Sequence, residues 1–584
     1  MMRRIMIVAF VFCLAFIVTS SAFAAAPTGD MARIRRQQEQ VLLQQEERMR
    51  EQERFFQRNA PARPGMQTKQ FEKEPEKADA PCVEVRSIQL EGATLVSASA
   101  LAAITGKYEN QCLSLAQVNN ILREITNRYI EDGYVTTRAF VKPDTKEAGV
   151  LSILVLEGKL EKVLLNDGEK NYYYRGRTAF PGLEGKPLNL RDIEQGLDQL
   201  NRLPSQQATM ELAPGENLGG TVVKVKIPPK RSWRFGGGLD NLGQRRTGQW
   251  QYNLFLEKDN LMGLGDQFAV YWSEEAPFME RTMDDRPSEG NNHSFSTFAS
   301  IPWGKWTFSA NMSRFAYGST IYGMNTDYSS TGTTATHTVQ AERLLHRDAD
   351  SKTSLSVALT NRDVKNYIED VRLIASSYKL TTLTTSLSHN RRFLGGSLGG
   401  NLDHTQGLSI LGTKEEEDHG HAIPKGHFHK FSSSVYWYRP IQIAEQSFYY
   451  HLSAFGQLTQ HTMYGAERIS IGSRSSVRGF HEESATGDQG GYVRNEVGWN
   501  VPWGEKTLKY MPFNNMQVYA AYDLGGIIKD KDDPFERGRL DGVSIGLRTQ
   551  GDLAFDLTVS KPLNAPSYIH KRDTEVYFSL RYTF

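Results

Sequence analysis

The last eleven residues constrain this chain most. From Thr574 to Phe584, Val576, Phe578, Leu580, Tyr582 and Phe584 alternate with Tyr577, Ser579, Arg581 and Thr583. A period of two places the first set on one face of a β-strand and the second on the other. One face is apolar throughout, and the other is mostly polar and carries an arginine. Such a strand suits a wall between lipid and a wet lumen. The chain stops on an aromatic residue, with no polar tail behind it.

The amino terminus agrees with a membrane destination. Arg3 and Arg4 precede an apolar run over residues 5–18, and Ala22-Phe23-Ala24 has the A-x-A form of a cleavage site. Residues 1–24 therefore read as a secretory signal peptide that is removed. No later stretch approaches the roughly 18 consecutive apolar residues of a membrane helix. An exported chain without one is soluble in the periplasm, secreted, or a barrel. In bacterial outer-membrane barrels the final strand ends as this one does. Leu580, Tyr582 and Phe584 are accordingly expected to close the barrel and to act as its assembly signal.

At 584 residues the chain is too long for one ordinary domain. With 68 basic and 67 acidic residues there is no charge excess to favour nucleic acid. A hydrophobic fraction of 39% and a mean hydropathy of −0.49 exclude a helical membrane protein. A barrel tolerates both, because only alternate residues face lipid. Fifty glycines, 25 tyrosines and 28 phenylalanines fit many strands, tight turns and aromatic girdles. Of three cysteines, Cys13 leaves with the signal peptide. Cys82 and Cys112 remain as a pair in an exported chain, so a disulfide is expected. A loop of that length stabilises by roughly 3–4 kcal/mol in the chain-entropy model. No other cysteine and no histidine stands near enough to suggest zinc.

Residues 31–59 are dense in Gln, Glu and Arg, without Pro or Gly. Helix propensity is high there, yet apolar residues are too few for a buried stripe. Either an exposed arm or a helix inside a water-filled lumen fits. Residues 60–81, with Pro61, Pro64, Pro75 and Pro81 among charges, form a linker without a core. Residues 82–157 form a compact α/β unit. Val85, Ile88 and Leu90 mark a strand and residues 101–104 a helix fragment. Ser114 caps a helix carrying Leu115, Val118, Ile121, Leu122, Ile125 and Tyr129, and strands follow over 135–141 and 150–156. The order is βααββ. Residues 158–229 repeat it, with a helix after Asn189 and strands over 160–165, 209–212 and 221–227. From 230 to 584 alternating runs recur, about sixteen of them. Tight turns such as 263–266, 302–304, 395–397 and 550–552 alternate with long polar connections over 274–292, 319–337, 410–426 and 530–537. Short turns on one side and long loops on the other are the outer-membrane barrel pattern. An even strand number places both barrel ends in the periplasm.

Gly395-Gly396-Ser397-Leu398-Gly399 matches G-x-S-x-G, but a nucleophile elbow needs a helix after its turn. Strands flank this one, which makes it a hairpin turn. His419, His421, His427 and His429 bracket an acidic, glycine-containing stretch and read as a solvated surface loop. No phosphate-binding glycine loop appears, and no metal or other cofactor is implied. Two segments are unusual for a plain barrel. Arg474-Ser475-Ser476-Val477-Arg478-Gly479-Phe480 lies in a long connection, and Tyr522-Asp523-Leu524-Gly525-Gly526 ends a strand. Parity puts Asp523 on the face opposite Val518, Ala520 and Tyr522.

These segments resemble known motifs. Val477-Arg478-Gly479-Phe480 is similar to the loop-six motif of the BamA-like barrel superfamily, and Asp523-x-Gly525 to its D-x-G strand motif. Ala521, where Gly or Phe is expected, is a minor departure. The two βααββ units resemble the paired POTRA domains of two-partner secretion transporters (TpsB proteins). Residues 189–205 are very like their second POTRA, and Asp240-Asn241-x-Gly243 with Thr247-Gly248 is like their first barrel hairpin. The resemblance spans essentially the whole mature chain. It implies a transmembrane β-barrel of about sixteen antiparallel strands, two periplasmic POTRA domains, and a plug helix over 25–59. It also implies that the loop folds into the lumen and that Arg478 pairs with Asp523 on the inner wall.

By that resemblance the chain lies in the outer membrane of a Gram-negative bacterium and is not an enzyme. Its partners are a large secreted exoprotein (an adhesin, haemolysin or contact-dependent inhibition toxin), outer-membrane lipid, and the barrel assembly machinery during biogenesis. A BamA-type assembly factor is the alternative, although it would usually carry more POTRA units. A porin needs neither POTRA units nor a plug, and a barrel enzyme needs a nucleophile that is not found. In a wet lumen the Arg478–Asp523 pair is expected to contribute only about 0–1 kcal/mol.

Overall fold

The computed structural model describes residues 70–75, 81–142, 149–278, 290–322, 327–413, 424–502, 512–529, 536–571 and 573–584. The signal peptide, the 25–59 helix, most of the 60–81 linker, and His419 and His421 lie outside these residues.

The first α/β unit runs β1 (Cys82–Val85), β2 (Ser87–Glu91), α1 (Ala98–Thr105), β3 (Gln111–Ser114), α2 (Leu115–Glu131), β4 (Arg138–Val141) and β5 (Val150–Leu156). Its sheet has the order β2-β5-β4, with β2 and β5 parallel and β4 and β5 antiparallel. Ser114 and Gln117 form a reciprocal capping box that starts α2. The helix then buries Ile121, Ile125 and Tyr129 against Leu101, Ile153 and Val155. The β1–β3 ladder was not anticipated. It is four residues long, and it brings Cys82 and Cys112 to a Cα separation of 5.3 Å, where they are disulfide-bonded.

The second unit repeats the topology with β6 (Lys159–Leu165), α3 (Tyr173–Ala179), α4 (Leu190–Asn201), β7 (Thr209–Pro214) and β8 (Gly220–Lys226) in the sheet order β6-β8-β7. Ile193, Leu197 and Leu200 of α4 pack on Leu160, Val223 and Val225. Asn189 caps α4 by accepting a hydrogen bond from the Arg191 N–H. The short helix α3 has too few apolar repeats to be read from periodicity.

Sixteen antiparallel strands, from Trp233–Asp240 to Glu575–Thr583, close into a barrel. At the seam five residue pairs, from Ser579↔Asp240 to Thr583↔Gly236, join the last strand to the first. The Asn241 side chain extends that ladder: its amide accepts from the Phe578 N–H (2.7 Å) and donates to the Val576 carbonyl (2.8 Å). Val576, Tyr582 and Phe584 face outward, whereas Tyr577 is buried inside. Phe584 stacks on Phe235 at 5.0 Å.

The α/β units feed the first strand, so its start, the tight turns and the carboxyl end share the periplasmic rim. Residues 393–396 form one of these turns, a two-residue hairpin with positive φ at Leu394 and Gly395. On the outer side, residues 319–322 and 327–337 are strand and not loop. The strands Trp306–Tyr322 and Asp327–Arg347 pair through almost all of that stretch. Beyond the lipid neither face of a strand needs to be apolar, so the hydrophobic alternation disappears while the hydrogen-bonded ladder continues.

The second α/β unit is docked on the periplasmic rim. Arg347 binds Glu194 (3.1 Å) and Asp198 (2.5 Å) of α4. Gln199 donates to the carbonyls of Gly304 (3.0 Å) and Trp306 (3.2 Å). Arg202, just past α4, donates to the Gly265 carbonyl at 2.8 Å. Burial there lowers its guanidinium to about 10, against the opposing pull of Asp259 and Asp266.

Candidate functional site

The connection between strands Gln446–Thr459 and Gly490–Asn500 folds back into the barrel. It is pinned by a small hairpin, Ile469–Ile471 paired with Ala485–Gly487. Ile469, Ile471, Val477 and Phe480 are buried against Ile527, Leu540 and Ile569. Apolar contact with the upper wall thus places the loop before any charge is considered.

Arg478 lies beneath this cluster. Its Nε and Nη2 donate to the two carboxylate oxygens of Asp523 at 2.5 and 2.8 Å, and its backbone N–H donates to the same group at 3.2 Å. Its Nη1 reaches Glu496 at 3.1 Å. Glu496 also accepts from Arg548 (2.7 Å) and from the Tyr449 hydroxyl (2.9 Å). Tyr519 lies under both guanidinium groups, with Arg478 at 5.7 Å and Arg548 at 4.1 Å from its ring centre. This geometry changes the expected energetics. The Arg478 side chain is 3% exposed and that of Asp523 0%, so the pair is buried rather than wet. A buried pair behaves differently from a surface one: loss of either partner strands a charge.

Glycines allow the approach. Gly479 has φ +105°, in the left-handed region, and a Cβ there would stand 2.9 Å from the Pro562 nitrogen. Across the ladder from Asp523 is Gly542, where a Cβ would lie 2.0 Å from the Arg478 carbonyl oxygen. Gly525 gives room to Val477, whose Cγ2 would lie 2.9 Å from an added Cβ. Asp523 and Gly525 therefore act together, one binding the arginine and the other admitting the residue before it. Gly479 also donates its N–H to the Tyr577 hydroxyl (3.1 Å), and His481 contacts the Gly243 carbonyl of the first hairpin (2.7 Å).

The structure thus gathers Val477, Arg478, Gly479, Phe480, Asp523 and Gly525 at one place. Cys82 and Cys112 lie in the first α/β unit, and Leu580, Tyr582 and Phe584 on the closing strand, all apart from this cluster. Glu496, Arg548, Tyr519 and Gly542 were not singled out from sequence. The inward parity that Glu496 shares with Arg494 was the available signal. A second charged group holds the loop to the facing wall. Buried Glu467 accepts from Arg362 (2.9 Å) and Lys430 (2.6 Å). Beside the loop runs a cavity of about 1670 Å³ whose wall includes Thr336, Thr338, Thr360, Thr384, Ser386 and Ser432. Among the described residues no cluster of His, Cys, Asp and Glu has the arrangement of a metal site.

A barrel of sixteen strands, entered through two βααββ units and crossed by a loop bonded to its inner wall, defines an outer-membrane transporter with periplasmic POTRA domains. The chain belongs to the haemolysin secretion/activation protein family ShlB/FhaC/HecB, which matches residues 219–549 and is preceded by a ShlB-type POTRA domain at 83–158 and another POTRA domain at 159–214. Among its relatives is the outer membrane transporter CdiB of Escherichia coli, 34% identical over 579 residues, which are 98% of this chain and 93% of the relative. The hemolysin transporter protein ShlB of Serratia marcescens is 30% identical over 509 residues, 86% of this chain. The structure of CdiB from Escherichia coli superposes with a TM-score of 0.81 at 31% identity, covering 96% of this chain and 100% of that one. CdiB from Acinetobacter baumannii, at 21% identity and a TM-score of 0.77, shares the fold. Transport by two-partner secretion is favoured over barrel assembly.

Proposed function

We propose that this chain recognises one large unfolded exoprotein in the periplasm, an adhesin, haemolysin or contact-dependent inhibition toxin, and passes it through the barrel to the cell surface without catalysing a reaction. The hydroxyl-lined wall beside the docked loop carries this reading. An extended polypeptide must keep its backbone N–H and C=O groups hydrogen-bonded as it leaves water. Threonine and serine hydroxyls donate and accept weakly and alike for any sequence, so they replace water without trapping the chain. Capture of the substrate by strand addition to a POTRA sheet edge would be equally tolerant of sequence. No nucleotide is available in the periplasm, so folding of the substrate outside the cell supplies the drive. Arg478 and Asp523 position the loop for this traffic, and Leu580, Tyr582 and Phe584 present the closing strand to the assembly machinery.

The test is secretion of the large protein encoded beside this gene, in cells with the chain, without it, and with Arg478→Ala. Export that requires the intact chain is expected. Export indifferent to the chain would refute the reading, and full export by Arg478→Ala would remove the loop from it.

A further inference from the structure

Residues 70–75 lie across the outer face of α2, and five of their main-chain groups are bonded by side chains of that helix. Asn127 makes a two-way contact with Phe71: its Oδ1 accepts the Phe71 N–H and its Nδ2 donates to the Phe71 carbonyl, both at 2.9 Å. Asn120 does the same for Glu74, at 2.8 and 3.1 Å. Between them Arg123 donates to the Glu72 carbonyl at 2.9 Å. Five main-chain groups of a six-residue stretch are thus read by three side chains.

The spacing explains why an extended segment fits. Asn120 and Asn127 are seven residues apart on one helical face, about 10.5 Å along the axis. Phe71 and Glu74 are three residues apart, and a fully extended chain spans about 10–11 Å over three residues. Only a nearly straight peptide, running counter to the helix, matches both amides.

The segment adds nothing to the core. All of its side chains are exposed except that of Glu74, which is partly covered. Phe71 is 44% exposed, with Arg138 over its ring at 5.4 Å. Side-chain contacts add to these at Glu74, which Arg123 and Asn119 engage, at Lys73, which meets Glu124 at 2.6 Å, and at Gln70, which donates to Glu131 at 2.9 Å. The donors and acceptors being read are those that any unfolded polypeptide carries.

We propose that Asn120, Arg123 and Asn127 form a binding site for extended polypeptide backbone, occupied here by the chain's own residues 70–75 and able to exchange them for a stretch of the exported protein. The identity of that competitor rests on the transporter reading above. The site is distinct from a sheet edge, since helical side-chain amides supply the hydrogen bonds. It holds its own segment through the high local concentration that covalent linkage gives. An exoprotein retained elsewhere on the same transporter would gain the same advantage.

The test uses the full chain in detergent and a fluorescent peptide with the sequence of residues 69–76. Phe71→Pro with Glu74→Pro removes the two N–H groups that Asn127 and Asn120 bind, and so vacates the site in place. Peptide anisotropy should report binding to this variant, at least tenfold tighter than to the intact chain, whose own segment competes. A scrambled peptide should bind within about threefold. A peptide N-methylated at its Phe71 and Glu74 positions should bind at least tenfold more weakly, as should the native peptide when Asn120→Ala and Asn127→Ala are added. Arg123→Ala provides a second, milder variant, and the Cys82–Cys112 bridge on a non-reducing gel reports that the domain has folded. Equal binding with and without the asparagines would overturn the proposal, as would no binding to the vacated chain or a tenfold loss on scrambling. The readout involves no export, so a chain that binds peptide but secretes nothing would count against the transporter reading alone.

Discussion

Arg478→Ala separates the loop's charge from its apolar contacts. In the variant Asp523 keeps the backbone N–H of residue 478 but loses the Nε and Nη2 donors at 2.5 and 2.8 Å, while remaining under a docked loop at 0% exposure. Removing one partner of a buried pair costs about 3–5 kcal/mol. Two features put this case at the low end: Arg494 stays 3.8 Å from Asp523, and Glu496 retains Arg548 and Tyr449. About 3 kcal/mol is expected, and each 1.4 kcal/mol is tenfold in an equilibrium. The docked loop should therefore open roughly a hundredfold more often, by the same conversion.

Hydrogen exchange on the purified chain measures this directly. Amides of residues 469–487 should exchange about a hundredfold faster, in line with that opening constant, while those of the barrel strands stay protected. Arg478→Lys should fall between, because a single ammonium cannot reproduce the two-pronged contact. Asp523→Ala combined with Arg478→Ala should be less severe than the sum of the two, with a coupling above about 1 kcal/mol. Unchanged exchange in Arg478→Ala, or strict additivity in the double variant, would refute the reasoning.

Gly542→Ala places a methyl 2.0 Å from the Arg478 carbonyl without touching the ion pair, and should loosen the same amides by about 1–3 kcal/mol in exchange measurements. Arg347→Ala takes the shared arginine from Glu194 and Asp198, which keep Arg191 at 2.9 Å and Lys352 at 3.7 Å, so amides of α4 should lose about 1–3 kcal/mol of protection while the first POTRA domain is unaffected. Reducing Cys82–Cys112, whose sequence separation is 30, should lower the stability of the first POTRA domain to denaturant by about 3–4 kcal/mol. Glu157 has its carboxyl raised by burial, but donors on Thr94, Leu95 and Tyr129 outweigh this and hold it below its ordinary 4.5. Its contribution is therefore present above pH 4.5 and lost as pH falls through the lower folded-state value, and Glu157→Gln should flatten that acid limb in a pH series of denaturant melts.

The barrel was legible where one strand face meets lipid. Val576, Leu580 and Tyr582 sit against hydrocarbon, and water or packed polar groups lie on the other side, so the alternation is written in the side chains. The same rule failed over residues 319–322 and 327–337. Thr331, Thr333, Ala335 and His337 point outward there, beyond any need for an apolar face. The β1–β3 ladder was missed because four exposed residues carry no periodic signal. Arg478 and Asp523 were paired only through a family motif, since 45 residues separate them and a rim Asp and a loop Arg look alike in any barrel. Gly542 could not be found at all. Which of fifty glycines admits a neighbouring backbone is a property of the closed barrel and not of local sequence.

Magnitudes also decide which part of this lumen can move. Ile469, Ile471, Val477 and Phe480 are each at most 4% exposed, and burying such side chains stabilises by about 1.5–3 kcal/mol apiece. Together they hold the loop by about 6–12 kcal/mol before Arg478 adds anything, on the same scale. A fully undocked loop would then be rarer than about one in ten thousand, since 1.4 kcal/mol is tenfold. With no nucleotide to drive it out, wholesale ejection of the loop is the expensive route. The Glu467 bond to Arg362 and Lys430 adds to that cost from the other wall. The cavity edged by Thr336, Thr384 and Ser432 requires no such rupture. The loop is therefore best regarded as fixed lining that narrows and shapes the passage, and the ion pair beneath it as the element that sets where the lining stands.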